Sequence, residues 1–289
     1  VLFPIRLITY ISYTLGVIAT NVLLDKLQLN SDRLFCKLSL GYSNFCIRLF
    51  GIRIINQGET ISDDPCIIIS NHINLYDHYV MAHIQNKVPI FIANDKYNRF
   101  PISNLLTYTK SILCSQTKKS GTVHKIKTRL SEGHQITMYP DACENIPQDK
   151  LIAPFRNGAF VPKAPIQPVV FRYISSSTTN LNWDNNSLWS ILLSYLMDGD
   201  IQCYVKILPI QTFNSSYKSY EDYKDHVYNL MNKELGILPK QQTLIVTGNP
   251  STKYTMKALL VLLGMGFFMY LIGNITMSCS LFMNFIVGY

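Results

Sequence analysis

Two long stretches of this chain carry no charge, and they lie near its ends. Leu7–Leu24 (LITYISYTLGVIATNVLL) and the whole of Ala258–Tyr289 lack Asp, Glu, Lys and Arg. A helix needs about 20 apolar residues to cross a hydrocarbon layer, so the first stretch can reach across a bilayer or lie within it. In the second, a helix over Ala258–Met277 fits the same thickness, with Gly273-Asn274 marking a kink or an end. Lys253 and Lys257 precede it and assign its leading end to the cytosolic side. A buried core helix is the alternative, and the unbroken apolar run to the terminus argues against it. Leu7–Leu24 has no clear small-residue cleavage site, so it does not read as a signal peptide. Composition agrees: 48% of residues are hydrophobic and 15% charged, where soluble domains have about a quarter charged.

After the first apolar stretch comes RLFCKLSLGYSNFCIRLFGIRI, Arg33–Ile54. Leu34, Phe35, Leu38, Cys46, Leu49 and Phe50 recur at near-helical spacing, with Arg33, Lys37, Arg48 and Arg53 between them. This pattern predicts an interfacial helix or the second helix of a membrane-seated hairpin; an ordinary core helix is the alternative. The net charge of +8 has two readings. Nucleic acid is disfavoured, because the chain has no RNA-binding aromatic signature, zinc-finger spacing or basic heptad. An anionic membrane surface or a phosphate-bearing substrate suits an apolar chain better. The seven cysteines are scattered without a C-x-x-C pair. That points to a reducing compartment, with the sequons at Asn185 and Asn214 unused.

Between the apolar ends, short Ile-, Val- and Tyr-rich runs alternate with helical patterns. Strands are predicted at Cys66–Ser70, Ile90–Ala93, Ser111–Ser115, Gln135–Tyr139, Ile166–Tyr173 and Gln202–Leu208. Helices are predicted at Tyr76–Gln85, Thr122–Ser131 and Tyr220–Leu235, and Ser175–Ser187 reads as a polar surface loop. The expected fold is α/β: a mostly parallel central sheet flanked by helices, with N-terminal membrane-seated helices and a C-terminal transmembrane helix. The expected division is 1–53 (membrane-associated hairpin), 54–252 (α/β domain) and 253–289 (C-terminal membrane segment).

The chemistry concentrates in IIISNHINLYDHYV, Ile67–Val80. A His five residues before an Asp is common by chance. In a continuous helix the two would point about 140° apart. They meet if His72 sits in the turn after a strand and Asp77 in the first turn of the next helix, where the helix dipole favours a carboxylate. Asp77 would then hold one imidazole nitrogen and leave the other as a base. No Ser or Cys lies in a G-x-S-x-G elbow, so the hydroxyl to be activated belongs to a substrate.

NHINLYD resembles the NHx4D motif of the glycerophospholipid acyltransferases, which include lysophosphatidate and glycerol-3-phosphate acyltransferases. MYPDACEN, Met138–Asn145, resembles that family's F-P-E-G-T-R-S block. APFRNGAFVPKAPIQPVV, Ala153–Val170, resembles its P-F-K-x-G-A-F and V-P-x-x-P-V blocks. The resemblance implies that His72 deprotonates an acceptor hydroxyl, which attacks the thioester of acyl-CoA, a co-substrate; no cofactor or metal is implied. It also implies that Asp77 orients His72, that Asn71 supports the turn, and that Pro140, Asp141, Phe155, Arg156 and Gly158 line the acceptor site. Two departures stand out. Gln116 and Glu144 occupy the positions of the two arginines that the family associates with the acceptor phosphate, and neither can copy a guanidinium. Lys118, Lys119 and Arg156 are the cations available instead.

The departures favour a lysophospholipid with a choline or ethanolamine head group over a bare glycerophosphate. They also keep open a tafazzin-like, CoA-independent transacylase and a non-catalytic membrane scaffold. The implied setting is the endoplasmic reticulum or another endomembrane, with the catalytic domain facing the cytosol. Other residues have plain readings. His78 and His83 are surface or second-layer histidines rather than metal ligands with Asp77, since their spacing is not i,i+4. His124 and His134 are solvated. Cys143 packs, Trp183 and Trp189 pack or sit at the headgroup level, and Lys118-Lys119 form a solvated turn or meet CoA phosphate.

Overall fold

The computed structural model describes residues 2–29, 31–74, 76–95, 106–107, 109–114, 121–141, 151–175 and 188–239. They belong to one compact unit, Val1–Gln242. The membrane helix expected at Ala258–Met277, and all of the expected surface loop but Ser175, lie outside the described residues.

Seven strands form a single sheet among the described residues: β1 (Ile52–Gly58), β2 (Ile67–Ser70), β3 (Ile90–Asn94), β4 (Ile112–Cys114), β5 (Ile136–Met138), β6 (Ile166–Ser175) and β7 (Ile201–Ile207). Their order is β1-β7-β6-β2-β5-β3-β4. All neighbours run parallel except β6 and β7, which are antiparallel. The α/β expectation holds, with the six predicted strands in place. The antiparallel pair reverses β7 and β1 relative to the other five. As a result β1 begins where β6 ends, because Ile52 pairs with Ile201 and Ile201 with Ser175.

The α-helices with bounds among the described residues are α1 (Phe3–Lys26), α2 (Asp32–Leu49), α3 (Asp77–Gln85), α4 (Thr122–Ser131), α5 (Leu188–Asp198) and α6 (Tyr220–Ile237). The sheet is buried on both faces, and β2 shows why its sequence is a continuous apolar run. Ile67 and Ile69 pack with Ile126 of α4 and with Tyr223, Val227 and Met231 of α6. Ile68, on the other face, packs with Cys46 and Ile47 of α2, Val80 and Met81 of α3 and Tyr195 of α5. All three isoleucines are fully buried, each removing enough apolar surface from water to contribute about 1.5–3 kcal/mol. This double-sided burial fixes the C-terminal end of β2, from which the site hangs.

The N-terminal region corrects one expectation. The segment Arg33–Ile54 is not helical throughout. Helix α2 ends at Leu49, Gly51 takes a positive φ of 65°, and β1 starts at Ile52. A Cβ at Gly51 would run into the carbonyl oxygen of Gly199, so this turn has room only for glycine. Helix α2 does not combine the length and apolarity of a membrane-crossing helix. It buries Phe35, Ser43, Cys46 and Ile47 and packs on α3, which is the core-helix alternative. Among the described residues α1 alone, over Phe3–Leu24, is long and apolar enough to cross a membrane. One face of α1 rests on the body: Tyr13 stacks on Phe45 at 3.8 Å between ring centroids and Thr14 Oγ1 lies 2.9 Å from the Tyr42 hydroxyl. Ile5, Ile8, Leu15 and Leu23 are exposed on it.

Candidate active site

Strand β2 ends at Ser70, and the next residues turn sharply into α3. Asn71 extends the sheet by its side chain: Nδ2 donates to the Phe171 carbonyl (3.0 Å) and Oδ1 accepts the Phe171 amide (2.8 Å). With both backbone groups of β6 satisfied, the chain leaves the sheet at a fixed point. Asn74 organises the far side of the turn. Its Oδ1 accepts the Tyr76 amide (2.9 Å) and its Nδ2 donates to the Tyr195 hydroxyl on α5 (2.7 Å).

Asp77 opens α3 and is fully buried. One oxygen, Oδ2, accepts from His72 Nδ1 at 2.8 Å, the Ile73 amide at 2.6 Å and the Asn74 amide at 3.0 Å. A carboxylate on Nδ1 places the ring proton there and turns Nε2 outward as the acceptor. The His72 side chain is 14% exposed, so an edge of the ring is reachable. Tyr139 stacks on that ring at 4.3 Å, inclined by 19°, and His78 meets it edge-on at 5.4 Å. A ring clamped by stacking and by its Nδ1 partner has little freedom to swing.

The His72 amide donates to Asp141 Oδ2 at 2.8 Å. Asp141 is 4% exposed, and burial pushes its carboxyl up to about 7, opposed by the amide bond from His72. Below Asp77, burial and the Asp77 charge also hold the Tyr173 and Tyr195 phenols well above their usual range. These side chains stay protonated at neutral pH.

Known proteins resemble this chain in architecture and in sequence. The 1-acyl-sn-glycerophosphate acyltransferase PlsC of Thermotoga maritima has the same fold: the alignment covers 82% of this chain and all of that one, with a TM-score of 0.54 at 17% identity. Lysophosphatidylcholine acyltransferase 1 of Danio rerio is 26% identical over 64% of this chain, and lysophospholipid acyltransferase LPCAT4 of Mus musculus is 25% identical over 68%. The matches span 37% and 39% of those two proteins, so the chain corresponds to less than half of either. Residues 51–172 match the family model described as Acyltransferase. Over residues 51–172 in sequence, and in fold, the chain is similar to the glycerophospholipid acyltransferases.

Within this acyltransferase fold the other anticipated residues fall into three groups. Pro140 is buried, and its carbonyl accepts the amide of Arg156 at 2.9 Å. That bond brings the Ala153–Val170 block to the same rim as His72. Arg156 itself is exposed. Phe155 instead faces the second core, against Phe160 and edge-on to Tyr228. Gly158 lies in a 3-10 turn, Asn157–Ala159, where an added Cβ would come within 4.0 Å of the Met138 methyl. Gln116, Lys118, Lys119, Cys143, Glu144 and Trp183 lie outside the described residues. Sequence reasoning did not find Asn74, Tyr139 or Tyr195. Tyr139 adjoins the Pro140 block and was within reach. Tyr195 lies 121 residues from its partner Asn74, and no local pattern marks it.

Proposed function

We propose that this acyltransferase is membrane-bound and moves a fatty acyl chain from acyl-CoA to a hydroxyl of a lysophospholipid. The observation that carries the reading is a partly exposed imidazole whose Nδ1 is held at 2.8 Å by a fully buried carboxylate. His72 Nε2 takes the proton of the acceptor hydroxyl as its oxygen bonds to the thioester carbonyl carbon. The tetrahedral intermediate collapses, the C–S bond breaks, and the CoA sulfur leaves with the proton that His72 had taken. Asp77 stabilises the imidazolium between these steps. The thioester brings its own leaving group, so the reaction uses no metal or cofactor.

Asn71 holds the turn. The turns bearing Pro140–Asp141 and Phe155–Gly158, with Gln116, Lys118 and Lys119, form the acceptor side, where Phe155 and Asp141 support from within and Arg156 supplies a cation at the rim. A zwitterionic acceptor, choline- or ethanolamine-headed, fits a chain with Gln116 and Glu144 where the family has arginines. The relatives named for lysophosphatidylcholine support that choice. The exposed apolar face of α1 supports residues 1–53 as the membrane seat, with 54–252 as the catalytic domain and 253–289 as a second membrane segment. An endoplasmic reticulum or other endomembrane site, with the catalytic domain on the cytosolic side, follows from the same reading.

The test is acyl transfer by the purified protein from labelled acyl-CoA to a panel of lysolipids. His72→Ala should lower the rate by roughly 10³-fold or more while the protein still sediments with vesicles. Wild-type turnover by that variant would remove the mechanism. The missing arginines favour a second reading, a CoA-independent transacylase. Product formed from acyl-CoA without any phospholipid donor excludes it.

A further inference from the structure

Asp77 grips the ring of His72 and the amides of Ile73 and Asn74, but not the amide of His72 itself. That amide goes to Asp141, 69 residues away in the chain. Resting on the acyltransferase reading above, we propose that Asp141 is a positioning residue, fastening the His72 backbone and thereby fixing where Nε2 meets the acceptor hydroxyl.

The sheet register makes this contact a built one. Ile69 of β2 pairs with Met138 of β5, and His72 and Asp141 each lie three residues further on, at the same level of two adjacent strands. The turn bearing Asp141 is itself held, because Pro140 accepts the Arg156 amide. Three consecutive amides, His72, Ile73 and Asn74, therefore end on two carboxylates from separate elements. Asp141 Oδ2 takes its bond while Oδ1 is buried with no hydrogen-bond partner among the described residues. Of the hydrogen bonds that hold this desolvated carboxylate, the one from the His72 amide weighs most among the described residues.

The contact also responds to pH. His72 and Asp77 are the titratable groups acting most directly on Asp141 among the described residues; Tyr139 stands beside it in the chain and Arg156 on the adjoining segment. Its carboxyl titrates near 7, so its ionised form, the stronger acceptor, fills in across neutral pH. The hold on the His72 amide tightens as pH rises.

The experiment compares Asp141→Ala, Asp141→Asn and wild type in acyl transfer across pH, alongside hydrogen exchange of the His72 amide. Asp141→Ala should lower kcat roughly 10- to 100-fold, with KM for acyl-CoA within about threefold. The same variant should speed exchange at His72 about tenfold or more. Asp141→Asn keeps an acceptor oxygen for the amide. It should restore most of the kcat and the protection, and its kcat should rise less steeply through neutral pH than that of wild type. Wild-type kcat and exchange in Asp141→Ala, or an Asp141→Asn pH profile that superimposes on wild type, overturns the proposal. Should Asp141→Ala not fold, Asp141→Asn alone decides, through its pH profile. Absence of turnover in wild type sinks the acyltransferase reading instead, and exchange at His72 then decides whether Asp141 holds the turn.

Discussion

Asp77 and Asp141 hold the same histidine from two regions of different construction. Asp77 begins a helix and reaches back over the preceding turn, where its Oδ2 collects the ring nitrogen of His72 and the N–H groups of Ile73 and Asn74. Asp141 follows a strand, and its Oδ2 receives the amide of His72 from the neighbouring strand's turn. Both are buried, at 0% and 4% exposure. The turn leading into the helix supplies these donors from residues three to five positions earlier, without help from distant chain. At Asp141 burial outweighs the bond from the His72 amide, and the carboxyl is pushed up to about 7. The first arrangement makes a fixed orienting group, the second a group that titrates in the neutral range.

The largest effect should come from Asp77→Asn, which puts an amide donor against His72 Nδ1 and inverts the tautomer. A fall in kcat of roughly 10³- to 10⁴-fold is expected, measured under saturating acyl-CoA; a fall of less than tenfold would place the ring orientation under some other control. Next, Asn71→Ala removes both buried side-chain bonds to Phe171 without touching either carboxylate. It should destabilise the fold by about 2–4 kcal/mol, read from the urea midpoint.

Asp141→Asn should have a smaller effect, on the pH dependence of the melting temperature. In wild type the folded carboxyl titrates near 7, above its unfolded value of about 4. The folded state thus keeps a proton that the unfolded state has released, and stability declines as pH rises between those values. Asp141→Asn lacks that decline, so its melting temperature relative to wild type should climb across the window and level off above it. Smallest is Ser219→Ala, at a helix start remote in sequence from the site. There Ser219 Oγ accepts the Asp222 amide and Asp222 Oδ2 accepts the Ser219 amide. Loss of this capping box should cost about 1 kcal/mol and leave kcat unchanged.

The contrast between the two aspartates also separates what the sequence discloses from what it conceals. The His72–Asp77 pair was legible because strand, turn and helix are consecutive, and the geometry of each is local. The buried strands β2 and β6 were legible as apolar runs. Strand β1 was not: the helical periodicity of α2 runs up to Phe50, and IRIINQG alternates weakly because one side is largely exposed. The antiparallel β6–β7 pair was hidden, since pairing direction depends on how α5 returns the chain. The roles of Asp141 and Tyr195 were hidden for the same reason, because their partners lie 69 and 121 residues away. Only the sheet order brings them together.

The reversal of β1 and β7 carries a consequence for how the molecule is oriented. Because β1 starts level with the end of β6, the chain arriving from α1 and α2 enters the sheet along the edge from which His72 projects, and Phe50 at that entry lies 4.7 Å from Tyr76 in the catalytic turn. With every strand parallel, the same hairpin would have docked at the opposite pole. One pole of the sheet therefore carries both the entry of the N-terminal helices and the turn that bears His72.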